Sequence, residues 1–427
     1  MKRVGLALLL ILGWLSTVAG LRPHPSAKDR PDPDTERFGY YLAKGHSSVR
    51  LPFELHSNLI IMKMRVNDSD TLNFILDTGV SNTIITDPLA LRRQPLKLAR
   101  QVKLSGVGEG LQLTASVSID NKLSMGILRA THQNLVILND DVLRLSEYVG
   151  IPIHGIFGYE LFSQFVVTID FRNRELTLTV PPKYTYRKRF GDRYPILIQN
   201  TKPYLDVTAQ LGGDRTVPLR VVLDTGAGHA LMLDGQQREC ALPRPEKVIR
   251  AQLGRGLNGV INGSLGRIEG IKLGRHQLLD VIASFPDSAS FGMKIVNTAD
   301  RQGNIGCELL RRFRVTFNYP EQYIVLKPVR SLLRERFEHD MSGLELKAKG
   351  LDLRTYVIEK ISARSPADLA GLQEGDELLF VNSDLATSLS ISDIYKTLQR
   401  GEGKEVTLVV RRSGRIVVAN FALKRII

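Results

Sequence analysis

Sulfur chemistry has little to work with in this chain, whose 427 residues include only two cysteines, Cys240 and Cys307. A small scaffold stapled by many disulfides is excluded, and the two thiols either form one bridge in an oxidising compartment or stand as separate buried groups. Metal-binding spacings are missing too. None of the eight histidines makes a His-x-x-x-His pair and no paired cysteines occur, so nothing supports a metal site, and no cofactor is expected. Long apolar runs are absent after residue 20, which leaves no later segment near the roughly 20 apolar residues of a membrane-spanning helix. Acidic residues are the scarcer charge: 58 Lys and Arg stand against 44 Asp and Glu, a formal net charge of +14.

At the start of the chain, Lys2 and Arg3 precede an apolar stretch from Val4 to Leu15, and Ser16, Thr17, Ala19 and Gly20 follow. This is the layout of a secretory signal peptide, residues 1–20, with cleavage near Ala19 or Gly20. The protein is therefore expected to be exported, periplasmic or extracellular. Residues 21–48, with Pro23, Pro25, Pro31 and Pro33 among charges and small polar groups, read as a flexible leader. Export argues against nucleic acid as the partner of the basic surplus. The basic residues are scattered except for Lys183, Arg187, Lys188, Arg189 and Arg193 beside Pro181-Pro182, a cluster that reads as a solvated connector, with weak attraction to an anionic polymer as the alternative.

The most informative positive feature is a tripeptide that occurs twice, Asp77-Thr78-Gly79 and Asp224-Thr225-Gly226. A given tripeptide arises by chance about once in several thousand positions, so the recurrence has a cause. Phe74-Ile75-Leu76 leads into the first copy and Val221-Val222-Leu223 into the second. A carboxylate at the end of a buried strand is costly unless something shares its charge or proton, which makes each Asp the natural partner of the other. The surrounding sequence repeats as well. The segment Gly155-Ile156-Phe157-Gly158-Tyr159-Glu160-Leu161, continuing through Phe165 to Phe171, lies without a gap on Gly303-Asn304-Ile305-Gly306-Cys307-Glu308-Leu309, continuing through Phe313 to Tyr319. Hairpin patterns precede both Asp residues, Leu59 to Leu76 around the turn Asn67-Asp68-Ser69-Asp70, and Tyr204 to Leu223 around Gly212-Gly213-Asp214-Arg215. Residues 49–182 and 183–327 thus read as two copies of one β-rich lobe.

After a linker at 328–340 a third unit runs from 341 to 427. Its stretch Ser365-Pro366-Ala367 to Ala370-Gly371-Leu372 and Gly375-Asp376, with a helix over Ile391 to Leu398 and strands at Val406 to Arg411 and Arg415 to Leu423, resembles a bacterial-type PDZ domain. PDZ domains bind an extended peptide by adding it to a sheet edge. The resemblance implies a peptide groove at Ser342, Gly343, Leu344, Ile394 and Leu398. Ser342 departs from the apolar residue common there, which counts against capture of a free C-terminus.

Two adjacent carboxylates cannot both ionise readily near neutral pH, so the charged one can take a proton from water and the protonated one can donate to the developing oxyanion. Here the chain resembles an aspartic protease of the retropepsin and pepsin kind, with two lobes fused as in pepsin and each lobe short as in the viral enzymes. The glycine pairs Gly155/Gly158 and Gly303/Gly306 match the family's apolar-apolar-Gly element. The implied fold is mainly β, two β-barrel lobes plus a small α+β PDZ domain. The implied catalytic residues are Asp77 and Asp224, supported by Thr78, Gly79, Thr225 and Gly226, with the Thr hydroxyls able to cross-link the lobes. The expected activity is endopeptidase hydrolysis of protein or peptide substrates by a monomer, with a lobe-exchanged dimer as a variant and a non-catalytic peptide-binding scaffold as the alternative.

Val80 and Ala227 stand where pepsin-like enzymes place a hydroxyl donor, which points to a milder pH optimum, with Ser81 as a partial substitute. Gly106-Val107-Gly108-Glu109-Gly110 and Gly254-Arg255-Gly256-Leu257-Asn258-Gly259 are candidate flaps or ordinary hairpin turns, and neither has pepsin's flap tyrosine. His154 and His229 lie near the motifs, but a dyad needs no third titrating group and neither is assigned to catalysis.

Overall fold

The computed structural model describes residues 37–104, 108, 113–212, 215–233, 242, 244–257, 259–287 and 301–427. The expected signal peptide, most of the expected leader, Cys240 and most of the 106–110 flap candidate lie outside them. In the first lobe, strand Leu59–Val66 alternates in period two near its end, with Met62, Met64 and Val66 buried while Lys63 and Arg65 face solvent. It pairs antiparallel with Leu72–Asp77. That strand is also paired in parallel with Gly155–Gly158, register Gly155 to Phe74 and Gly158 to Asp77, and so lies buried inside the sheet. A strand covered on both faces needs apolar side chains in succession, and Phe74, Ile75 and Leu76 supply them.

The second lobe repeats the arrangement. Lys202–Gln210 pairs with Thr216–Leu223, and Thr216–Leu223 pairs in parallel with Gly303–Ile305. Each lobe also carries a long hairpin, Lys97–Leu104 with Leu113–Met125 in the first and Val248–Gly256 with Gly259–Leu273 in the second. Part of the expected leader is structured: Gly39–Leu42 pairs with Leu128–Leu138 because Tyr40 and Leu42 reach the core.

A six-stranded sheet joins the lobes, in the order Asp192–Pro195, Tyr323–Pro328, Phe313–Asn318, Val166–Asp170, Glu175–Thr179, Ser48–Pro52. Its central pairing sets Val167 against Phe317, Thr168 against Thr316 and Ile169 against Val315. Thr168 and Thr316 are equivalent residues of the repeat, and their hydroxyls meet at 2.9 Å, which marks the pseudo-twofold axis. One apolar core, from Tyr40 to Phe337, runs through both lobes.

The C-terminal unit has its own core, including Leu344, Tyr356, Leu378, Ile394, Leu398 and Leu408. Its sheet runs Leu344–Lys349, Thr355–Ile361, Glu377–Val381, Glu405–Arg412, Arg415–Ala422. The helices begin on serine caps: Ser365 Oγ accepts from the Asp368 N–H and Ser390 Oγ from the Asp393 N–H. Asp376 is buried and held by the Arg412 guanidinium through two bonds of 2.7 Å, which explains an acid in the Gly375-Asp376 turn.

Candidate active site

The parallel strands end where the chain must turn, and both turns sit at the interface of the lobes. The two buried threonines form a reciprocal lattice. The Thr78 N–H donates to Thr225 Oγ1 and the Thr225 N–H to Thr78 Oγ1, both at 3.0 Å. Thr78 Oγ1 donates to the Leu223 carbonyl at 2.6 Å and Thr225 Oγ1 to the Leu76 carbonyl at 2.9 Å. Four buried hydrogen bonds thus tie the floor of one lobe to the other and fix the spacing of the residues next to them.

Asp77 and Asp224 face each other above this lattice and share a hydrogen bond. The close approach requires glycine: a Cβ at Gly226 would fall 2.3 Å from Asp77 Cγ, and one at Gly158 would fall 1.7 Å from the Asp77 carbonyl oxygen. The Gly79 N–H donates to Asp77 Oδ1 and the Gly226 N–H to Asp224 Oδ1.

The two carboxyls are supported unequally. Asn304 Nδ2 donates to Asp224 Oδ2 at 2.8 Å, and among the described residues no such side chain serves Asp77, because the equivalent residue in the first lobe is Ile156. The amide's orientation follows from its chemistry. Its NH2 can only donate and faces a carboxylate, so its oxygen accepts from His229 Nε2, 3.2 Å away, and His229 carries the proton on that nitrogen. Burial holds His229 below its ordinary range, in the neutral form suited to this role. Desolvation and the negative charge of Asp224 push Asp77 up to about 7, although the Gly79 N–H and the Lys202 ammonium act in the other direction. The direction of the shift favours keeping the shared proton on Asp77.

Sequence reasoning missed Asn304 and Lys202 as parts of this site, and it placed His229 near the motifs without a role. The signal for Asn304 was a polar residue opposite Ile156 in an otherwise apolar repeat element. Lys202 carried no signal, since a lysine opening a strand looks like any solvated one; here it is largely buried, which lowers its pKa. Ser81 is not a donor to the dyad, because its hydroxyl pairs with Thr201 Oγ1 at 2.6 Å. His154 serves the backbone, its Nδ1 accepting from the Asn73 N–H at 2.9 Å. Cys307 is a buried thiol whose Sγ donates to the Thr225 carbonyl.

The second flap candidate begins at the end of strand Val248–Gly256, and Leu257 beyond it packs against the apolar cluster of Ile84, Ala115 and Val136, as does Val80 of the Asp77 turn. In the C-terminal unit Ser342 and Leu344 are buried, and Ile394 and Leu398 are core residues with no exposed surface. Among the described residues no helix is long and apolar enough to cross a membrane, and no three His, Cys, Asp or Glu side chains gather to hold a metal ion.

Residues 62–161 match the aspartyl protease family and residues 357–412 match the PDZ domain family. The chain thus carries an aspartyl protease domain and a C-terminal PDZ domain in a mainly β architecture. Over 99 residues, 23% of this chain, it is 32% identical to tight junction protein ZO-3 of Canis lupus familiaris and 30% identical to that of Mus musculus. The matched stretch is 10% of each of those proteins, so the chain spans about a tenth of the length of the curated relatives it matches.

Proposed function

We propose that this chain, with its aspartyl protease and PDZ domains, is an exported endopeptidase in which Asp224 is the general base and Asp77 the general acid. The observation that carries the reading is the unequal support of the dyad. Asn304 and the Gly226 N–H favour an anion on Asp224, while Asp77 sits where ionisation is penalised. Water between the carboxyls gives a proton to Asp224 as its oxygen attacks the peptide carbonyl. Asp77 gives its proton to the carbonyl oxygen as negative charge develops there. Collapse of the tetrahedral species breaks the C–N bond as Asp224 passes the proton it took from water to the leaving nitrogen and a hydroxyl of the diol returns a proton to Asp77; no covalent enzyme intermediate forms.

Both carboxylates come from one chain, which supports an active monomer, and the hairpin ending near Leu257 supports a cleft that excludes water from an extended peptide. The lysine-flanked apolar stretch at Val4 to Leu15 supports export. The test is a peptide-library digest with wild type, Asp77→Asn and Asp224→Asn, read by mass spectrometry. Cleavage by wild type alone supports the reading; equal cleavage by either variant overturns it, and binding without cleavage at any pH from 3 to 8 leaves the scaffold alternative.

A further inference from the structure

The groove of the PDZ domain is already engaged by the rest of the chain. Its carboxylate-binding turn should offer backbone N–H groups to a peptide terminus. Here those groups serve Asp340. Ser342 N–H and Oγ donate to Asp340 Oδ1 at 3.2 and 2.6 Å, and the Gly343 and Leu344 N–H groups donate to Oδ2. Further along the strand, the Leu346 N–H donates to the Tyr395 hydroxyl at 2.8 Å, from the helix that forms the opposite wall.

The protease lobes close in from both sides. Helix Leu145–Val149 of the first lobe packs on strand Leu344–Lys349. Tyr148 Oη donates to Glu359 Oε2 at 3.0 Å, and the following Gly150 lies so near the start of the PDZ helix that a Cβ there would be 2.8 Å from Ile391 Cγ2. From the second lobe, Gln252 faces Glu345 across the groove, and Arg255 Nε donates to Tyr148 Oη at 2.9 Å with its guanidinium over the Tyr148 ring. A cavity of about 250 Å³ remains between these groups, lined by Tyr148, Gln252, Glu345, Asp340, Tyr395 and Gln399. Gln252 and Arg255 belong to the hairpin that leads to Leu257, which packs on the same apolar cluster as Val80, three residues from Asp77.

We propose that the PDZ groove is an intramolecular docking surface for helix Leu145–Val149 and strand Val248–Gly256, closed to free peptide C-termini while it clamps the hairpin over the catalytic dyad. This rests on the protease reading only in naming the cleft as the thing clamped. A peptide carboxylate enters the turn only by displacing Asp340, and its chain competes with Gln252 for the groove, so binding there loosens the hairpin.

The test uses the full chain with Asp77→Asn, so that its readout does not depend on turnover. Amide hydrogen exchange over 248–256 and anisotropy of a fluorescent acetylated hexapeptide ending in valine are measured with and without Tyr148→Phe and Glu359→Ala. Each release variant is expected to speed exchange at 248–256 by about tenfold or more, the effect of losing one charge-assisted hydrogen bond, and to tighten peptide binding by a similar factor. Global stability from urea unfolding identifies a variant that has merely lost its fold, and the other variant then decides. Unchanged exchange at 248–256, or hexapeptide binding as tight in the parent as in the release variants, overturns the proposal.

Discussion

Replacing Asn304 by Leu, a side chain of similar size, removes the donor to Asp224 Oδ2 and leaves the dyad otherwise in place. A hydrogen bond to a charged acceptor contributes about 1.5–3 kcal/mol, and one pH unit corresponds to about 1.36 kcal/mol, so the acid limb of the rate profile should move up by about 1–2 units. The alkaline limb should stay where it is. It reports loss of the second proton, from Asp77, and Asp224 is an anion both before and after that step, so the bond from Asn304 is present on both sides. The result is a narrowed bell with its acid side displaced. The assay is kcat/KM for a fluorogenic peptide from pH 3 to 9, with circular dichroism to confirm the fold. Some stability is lost as well, about 1–3 kcal/mol, because His229 Nε2–H loses its acceptor. Stability loss alone cannot move one limb and spare the other. A profile in which both limbs stay fixed, or both shift together, refutes the assignment of Asp224 as the anion held by Asn304.

For wild type, Asp77 must be protonated to act; since its pKa is raised to about 7, activity should hold below that value and fall as pH rises through it, and a maximum below about pH 3 would contradict this. Asp77→Asn or Asp224→Asn should each lower kcat by about 10²–10⁴-fold or more, read by burst-free steady-state kinetics. The raised Asp77 pKa also penalises the folded state once pH exceeds the ordinary carboxylate range, so Asp77→Asn should be stabilised relative to wild type by at least about 1 kcal/mol more at pH 7.5 than at pH 4 in urea unfolding. Thr225→Val removes one donor and one acceptor of the interlobe lattice and should cost about 2–5 kcal/mol in the same assay. Glu308→Gln should cost about 3–5 kcal/mol, because Arg312 has no exposed side-chain surface and its guanidinium pairs with Glu308 at 3.0 Å.

The parts of this fold that could be read from sequence are those where a local physical demand leaves one residue type. The last apolar residues before each Asp, Phe74-Ile75-Leu76 and Val221-Val222-Leu223, could only be strands buried on both faces, and they are. The helix expected over Ile391 to Leu398 is found at those residues, begun by the Ser390 cap. What could not be read depended on contacts between distant segments. Gly39–Leu42 looks like leader because its pairing partner, Leu128–Leu138, lies some ninety residues away. The placement of Lys202 beside the dyad depends on lobe packing, which no local pattern encodes.

The two departures from symmetry in the repeat carry more chemical meaning than the symmetry itself. A perfect duplication would give two carboxyls with equal surroundings and a proton shared without preference, which suits a dyad built from identical halves. Fusion into one chain lets each lobe change alone. At the position of Ile156 in the first lobe the second has Asn304, and the consequence is two carboxyls whose surroundings already differ without substrate. The same independence lets the Val248–Gly256 hairpin of the second lobe meet the PDZ groove at Gln252 and Tyr148 of the first lobe at Arg255. If role assignment in the dyad arises from this asymmetry, Ile156→Asn should restore a donor beside Asp77 and reduce the preference. The double variant Ile156→Asn/Asn304→Leu should then exchange the roles, so that Asp224 becomes the group whose ionisation sets the alkaline limb. The check is a carboxyl 13C titration of both aspartates. Titration of Asp77 as the higher of the two in every variant would show that burial, and not Asn304, decides where the proton sits.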